Sequence, residues 1–292
     1  MNEFKLIEHN LTNDNYFSKE AEAKFFGSSS IKAYDMTNES FDIFNGTIEG
    51  GCEAREIAIK NGEWEKPEKK AFLVGNYVHS AMDSKEAFQK FCDDNYSFIF
   101  KKNGSLYSDF EKADKMIERL KKSEIVKDMQ NCDHEVIMVG EIAGVKIKIM
   151  CDLLSLERGY IADYKTTQKI NKVSWKNGKK VSFIDMFNYK DQVAIYSEII
   201  RQNTGRWLDF YFIPVSKEDT PDLKVIFMTN GNDENSFIHE RLENIELKLP
   251  HMYLVKTGQI KPKRCESCAY CRSTAKILKP ISLEEFEMEL GL

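Results

Sequence analysis

The chain has no apolar stretch approaching the roughly 20 residues that a membrane-spanning helix requires, and its opening residues, MNEFKLIEHN, lack the basic-then-apolar order of a secretory signal. These absences lead us to expect a cytoplasmic protein with no membrane partner. No internal repeat, low-complexity tract or Gly/Ser linker is present, which excludes solenoids and tethered modules. An even set of cysteines is also missing. Seven thiols without an export signal argue against a disulfide framework and for reduced side chains, some of them available as metal ligands. Nor is there a net positive charge: the formal value is −5, so the chain as a whole does not advertise the counterion-displacing surface of a nucleic-acid binder.

What is present is ample apolar material. With 292 residues, 42% hydrophobic and 12% aromatic, the chain can bury one large core. We expect a single domain over 1–292, with an N-terminal region (1–70) and a cysteine-containing C-terminal segment (258–292) packed on it. Cationic side chains are concentrated locally. Lys169, Lys172, Lys176, Lys179 and Lys180 surround Trp175 in a stretch without acids, and Lys261, Lys263, Arg264, Arg272, Lys276 and Lys279 lie near the end. Each run reads either as a solvated face or as a basic edge, and a site rich in carboxylates makes a mildly acidic total compatible with the second reading.

Periodicity supplies the fold class. Ser28 to Ser30 read as the cap of a short helix, residues 52–61 have helix-forming composition, and the rest of the first sixty residues look irregular. Residues 71–91 predict one helix and 109–130 another, with Met116, Leu120 and Ile125 on its apolar stripe. Strands follow at 134–142 and 145–156, joined by an Ala143-Gly144 turn. In the second of these, Val145, Ile147, Ile149 and Cys151 alternate with Lys146, Lys148, Met150 and Asp152. A third strand covers 159–167, a helix 185–202, two strands 207–215 and 223–229, and a helix that Pro250 kinks 235–257. This order predicts an α/β (α+β) fold with a central mixed sheet flanked by helices.

Asp163 and Lys165 are two apart on a strand, so both side chains leave the sheet on one face. Asp152 closes the preceding strand, and a hairpin brings the two carboxylates to one end of the sheet. Such oxygens suit a hard cation, Mg²⁺ or Mn²⁺, that polarises a phosphoryl oxygen and activates water. The Lys165 ammonium could orient that water, stabilise phosphoryl charge or move a proton. Alone, D-x-K is also the pattern of a solvated strand. Thr166 and Thr167 read as phosphate contacts or as simple strand formers, and Gln192 and Tyr196, four apart, share a helical face. Cys265, Cys268 and Cys271 form C-x-x-C-x-x-C, a metal-binding density of thiols that is one ligand short, with Cys52 as the natural fourth. Cys92, Cys132 and Cys151 sit in apolar contexts and read as packing residues.

The series Gly75-Asn-Tyr-Val-His79, Asp152, Asp163-Tyr-Lys165, Gln192 and Tyr196 resembles the ordered motifs of RecB-type nucleases in the PD-(D/E)XK superfamily. The likeness to phage-type exonucleases related to exonuclease VIII extends over nearly the whole chain. It implies a restriction-endonuclease-like core, with Asp152, Asp163 and His79 as metal ligands. Lys165 serves the water, Gln192 and Tyr196 line the active site, and Glu135 is a further upstream acid. It also implies a metal-dependent DNA exonuclease acting on double-stranded ends, 5′ to 3′, encoded by a phage or prophage and acting in the bacterial cytoplasm. Such enzymes form ring-shaped homo-oligomers and work with a single-strand annealing protein. An endonuclease, a nuclease of other polarity, and a non-catalytic DNA-binding recombination protein are the alternatives. For Cys52, Cys265, Cys268 and Cys271 the resemblance, to helicase-nucleases of the AddB type and some CRISPR-associated nucleases, favours a structural [4Fe–4S] cluster over zinc, although the spacing of the last cysteines departs from theirs.

Overall fold

At Ala143-Gly144 both φ angles are positive, 48° and 77°, as a two-residue hairpin turn matched to strand twist demands. The turn joins β1 (Asp133–Ile142) to β2 (Val145–Ser155), paired antiparallel from Asp133↔Leu154 to Ile142↔Val145. A second reversal leads to β3 (Tyr160–Thr167), which runs parallel to β4 (Asp209–Ser216) along its whole length; β5 (Ile226–Thr229) adds antiparallel to β4. The five strands lie in sequence order, a mixed sheet with β3 at its centre. The structure, a computed structural model, describes residues 9–37, 39–42, 47–65, 70–176, 179–276, 279–289 and 291. Residues 1–8, which carry most of the reading about a leader, lie outside these.

The parallel pair needs a crossover, and a helix supplies it. In chain order the main helices are α1 (Glu53–Lys60), α2 (Lys70–Asp83), α3 (Ser108–Lys121), α4 (Tyr189–Thr204) and α5 (Ile238–Lys256). One sheet face, with Ile147, Ile149, Phe210 and Phe212, packs on α4 and α5. The other, with Leu153, Ala162, Tyr164 and Ile213, packs on α2 and α3. A sheet covered on both faces has a central strand that is apolar throughout, and β3 is buried at six of eight positions. An acid within such a strand therefore needs a local reason to be there.

Several sequence-based boundaries shift. The single helix expected over 71–91 breaks where the Ser84 hydroxyl accepts from Ala87 N–H at 3.0 Å and starts a new helix, Lys85–Asp94. The helix expected over 109–130 ends at Lys121 and restarts over Glu124–Met129. That restart changes the phase, so Val126 is buried while Ile125 is 55% exposed, off the stripe of Met116 and Leu120. The serines at 28–30 lie inside the first turn of helix Ser28–Tyr34, whose N-cap is Gly27. The first sixty residues are more regular than expected, with helix Lys19–Lys24 and a hairpin of Glu39–Asp42 with Thr47–Gly50. The helix expected over 185–202 is split into Phe183–Met186 and α4 by left-handed Asn188. The last strand shrinks to β5, with Leu223 bridging Val215 separately. Pro250 lies within the continuous run of α5.

Lys148, expected on a polar face, is 1% exposed. Its ammonium donates to the Tyr16 carbonyl and, at 2.7 Å, to Glu22 Oε1. The cause is non-local. Phe26 bridges Ile147 in parallel, its N–H donating to Lys146 O at 2.9 Å and its carbonyl accepting from Lys148 N–H at 2.8 Å. The N-terminal segment thus covers the early part of the β2 edge that β3 pairs only from Leu153 onward.

Candidate active site

β2 and β3 pair at Leu153↔Ala162, Leu154↔Ile161 and Ser155↔Tyr160, then part. The same register continued by one step sets Asp152 opposite Asp163, at the fork. A buried amide needs an acceptor, and Tyr164 N–H takes Asp152 Oδ2 at 2.7 Å in place of a main-chain carbonyl. The other side of β2 adds a third acid. His134↔Leu153 and Val136↔Cys151 flank Glu135, which stands across from Asp152 with φ 50°. A left-handed non-glycine residue costs about 1–2 kcal/mol, and here it interrupts the ladder beside the fork. Burial pushes the Glu135 carboxyl up to about 8, the Asp152 charge adding to the effect and His79 opposing it.

Two cations face these acids. Lys165, on the same side of β3 as Asp163, brings its Nζ to 2.5 Å from Asp163 Oδ2. His79, one turn after Gly75 on α2, places Nδ1 3.2 Å from Asp152 Oδ2. Burial opposes protonation of His79, but the Asp152 carboxylate outweighs it and lifts the imidazole to about 9. Burial and the neighbouring Asp152 raise Asp163 against the pull of Lys165. Asp152 itself is lowered: the His79 and Lys165 charges overcome its burial. With Glu135 kept protonated by its burial, two carboxylates face two cations, and a third anion would form only if a further cation displaced that proton.

α4 closes the site from the other side. Gln192 Nε2 donates to Asp163 Oδ1 at 2.6 Å. Tyr196, one turn on, is buried with its ring centroid 6.4 Å from that of Phe210. Burial raises its phenol well above the ordinary range and the carboxylates of Asp163 and Asp152 add to this, so it lies behind the acids, on the core side. Tyr189, absent from the sequence reading, has its ring 4.8 Å from Lys165 Nζ. It precedes Gln192 by three residues, so the helical period could have found it. The fold therefore brings together His79, Glu135, Asp152, Asp163, Lys165 and Gln192, with Tyr196 behind them.

The donor set tests the fit of a metal. Asp163 Oδ2 is buried and faces the Lys165 ammonium at 2.5 Å. A buried carboxylate is costly unless a cation meets it, and Lys165 and His79 do so here for Asp163 and Asp152. The surrounding donors are hard oxygens plus one imidazole, a set suited to Mg²⁺ or Mn²⁺.

The four cysteines form a second cluster. Cys52, at the N-cap of α1, meets Cys265, Cys268 and Cys271 from the C-terminal segment, and all four sulfurs lie within 4.8 Å of one another.

A mixed sheet wrapped by helices, with D-x-K on its central strand and an acid at the fork, defines a restriction-endonuclease-like nuclease, a deoxyribonuclease by class. The chain belongs to the family described as a PDDEXK-like domain of unknown function, DUF3799, which matches residues 28–274, and so to the PD-(D/E)XK superfamily. It is similar to the crystal structure of an exonuclease candidate from Eubacterium rectale, at 31% identity and a TM-score of 0.83, over 96% of this chain and 98% of that one. The crystal structure of SSO0001 aligns at 14% identity and a TM-score of 0.31, over 78% of this chain and 95% of that one, a likeness too slight to carry an argument. No curated protein matches the chain.

Proposed function

We propose that the chain is an exonuclease that hydrolyses phosphodiester bonds at double-stranded DNA ends with Mg²⁺ or Mn²⁺. The observation that carries the reading is the meeting of two carboxylates and a lysine at the fork, with Lys165 Nζ 2.5 Å from Asp163 Oδ2 and Asp152 Oδ2 2.7 Å from the Tyr164 amide. Asp152 and Asp163 would hold the ion, with His79 beside them as ligand or phosphate contact and Glu135 as a further carboxylate. When bound, the ion supplies a polarised phosphoryl oxygen and a more acidic water. Lys165 orients the attacking water and meets the charge that builds on the phosphoryl oxygens. Gln192 holds Asp163 in one rotamer, Tyr189 supports the lysine stem, and Tyr196 backs the acids from the core.

DNA approaches past a basic hairpin, Ser174–Lys176 with Lys179–Val181. Trp175 on it is 65% exposed, with Lys180 Nζ 5.8 Å from its ring centroid. Lys176 Nζ, 2.7 Å from Asn188 Oδ1, fastens the hairpin to the start of α4, one residue before Tyr189. An exposed tryptophan among lysines suits a backbone-tracking, base-stacking contact.

The 5′ to 3′ polarity, the phage or prophage recombination setting in the host cytoplasm, the ring-shaped homo-oligomer and the single-strand annealing partner are supported by the motif resemblance. Among the described residues, no helix is long and apolar enough to cross a membrane. The test is digestion of linear duplex against covalently closed circles, with and without Mg²⁺. Mononucleotide release from linear DNA alone, dependent on the ion, is the expected result; cleavage of closed circles would make the enzyme an endonuclease.

A further inference from the structure

The four-cysteine cluster has a size that discriminates between metals. A single ion bound to four thiolates at about 2.3 Å in a tetrahedron sets the sulfurs about 3.8 Å apart along every edge. A cubane places a separate iron under each thiolate and spreads the four sulfurs to about 6 Å. Here Cys52 Sγ lies 3.6 Å from Cys271 Sγ, Cys265 Sγ lies 3.9 Å from the same atom, and no pair exceeds 4.8 Å. The [4Fe–4S] cluster that the resemblance favours does not fit this spacing. From it we infer a structural zinc site, Cys52, Cys265, Cys268 and Cys271 on one Zn²⁺ ion.

The surroundings resist the expansion that a cubane requires. Cys52 and Cys271 are fully buried, and Cys268 nearly so. Cys52 is positioned by its own N–H, which donates to Ala33 O at 2.9 Å. The next turn is tied across to the C-terminal segment, Ala54 N–H to Lys263 O at 2.9 Å and Lys263 N–H to Glu53 Oε2 at 2.8 Å. Arg264 Nη2 holds the Cys271 carbonyl at 2.6 Å. With these backbone bonds intact, spreading the sulfurs by about 2 Å would have to come from the cysteine side-chain torsions alone.

The knuckle aims two amides at sulfur. Left-handed Glu266 (φ 57°) turns the chain so that Cys268 N–H points at Cys265 Sγ, 3.3 Å away, and Cys271 N–H points at Cys268 Sγ, 3.5 Å away. Amide dipoles aimed at sulfur stabilise the anionic form that a metal needs. Such a site is redox-inert and closed, with no open coordination position for substrate. Its role is to fasten α1 to the C-terminal segment.

The test uses the full chain, purified without oxygen from cells supplied with both iron and zinc, and assayed for metals, acid-labile sulfide and visible absorption. About one zinc per chain, without stoichiometric iron or sulfide and without absorption near about 400 nm, is expected. Cobalt(II) exchanged into the site should give the intense visible bands of a tetrahedral tetrathiolate. Iron and sulfide at about four each per chain would overturn the inference, as would a folded, metal-free protein whose four thiols react freely with a thiol reagent. Asp163→Ala should keep its zinc while losing cleavage, so the metal assay and the nuclease assay fail independently.

Discussion

Replacing Lys165 by methionine keeps the stem and removes only the charge. In the folded protein that charge sits 2.5 Å from Asp163 Oδ2, with both side chains largely buried. Without it Asp163 keeps Gln192 but stands beside Asp152 with no cation of its own. Breaking a buried pair in this way costs about 3–5 kcal/mol, and the protein can escape by protonating the acid. From an ordinary aspartate value near 3.9, holding a proton costs about 4 kcal/mol at pH 7 and about 1.5 kcal/mol at pH 5. The metal-free variant should therefore be destabilised by no more than these amounts, and the deficit should shrink on acidification. Saturating Mg²⁺ should recover much of it. Cleavage should fall about 10²- to 10³-fold with the ion present, the usual cost of one preorganised electrostatic group. Urea unfolding of both proteins at pH 5 and pH 7, paired with digestion of linear duplex, measures both effects. Digestion at the wild-type rate, or a stability deficit that ignores pH, would refute the assignment of Lys165.

Trp175→Ala should weaken duplex binding by about 1–3 kcal/mol with little change in thermal stability, measured by fluorescence anisotropy on catalytically dead Asp163→Ala protein; unchanged affinity would remove the hairpin from the DNA path. Burial pushes the Lys256 ammonium down to about 8, where it donates to Phe25 O at 2.7 Å. Between that value and the ordinary one near 10.5 the unfolded chain holds a proton the folded chain has shed, so stability gains from this group as pH rises through the window. Lys256→Met should lose that gain. Parallel stability curves for the two proteins from pH 8 to pH 10 would contradict the shift.

The parts of the fold written in short-range pattern were legible. Ala143-Gly144 declared the β1–β2 turn, and the alternation of Asp163 and Lys165 put an acid and a base on one face of a strand. The meeting of Asp152 with Asp163 followed from the hairpin register. What could not be read depended on contacts between distant segments. Lys148 looks solvated until Phe26, more than a hundred residues earlier, is laid along the edge of β2. The exposure of Ile125 depends on a break at Lys122 and Ser123 that no glycine or proline announces. Glu135 was visible as an acid, but its left-handed backbone belongs to the way β1 meets the fork. The thiol spacing that separates one ion from a cubane is a three-dimensional quantity, absent from the count C-x-x-C-x-x-C.

The parting of β2 from β3 turns a sheet into the floor of a reaction chamber. Both prongs are anchored in packed layers, which hold the carboxylates at the fork in place. A carboxylate seated on the Tyr164 amide makes that opening affordable within a hydrophobic sandwich.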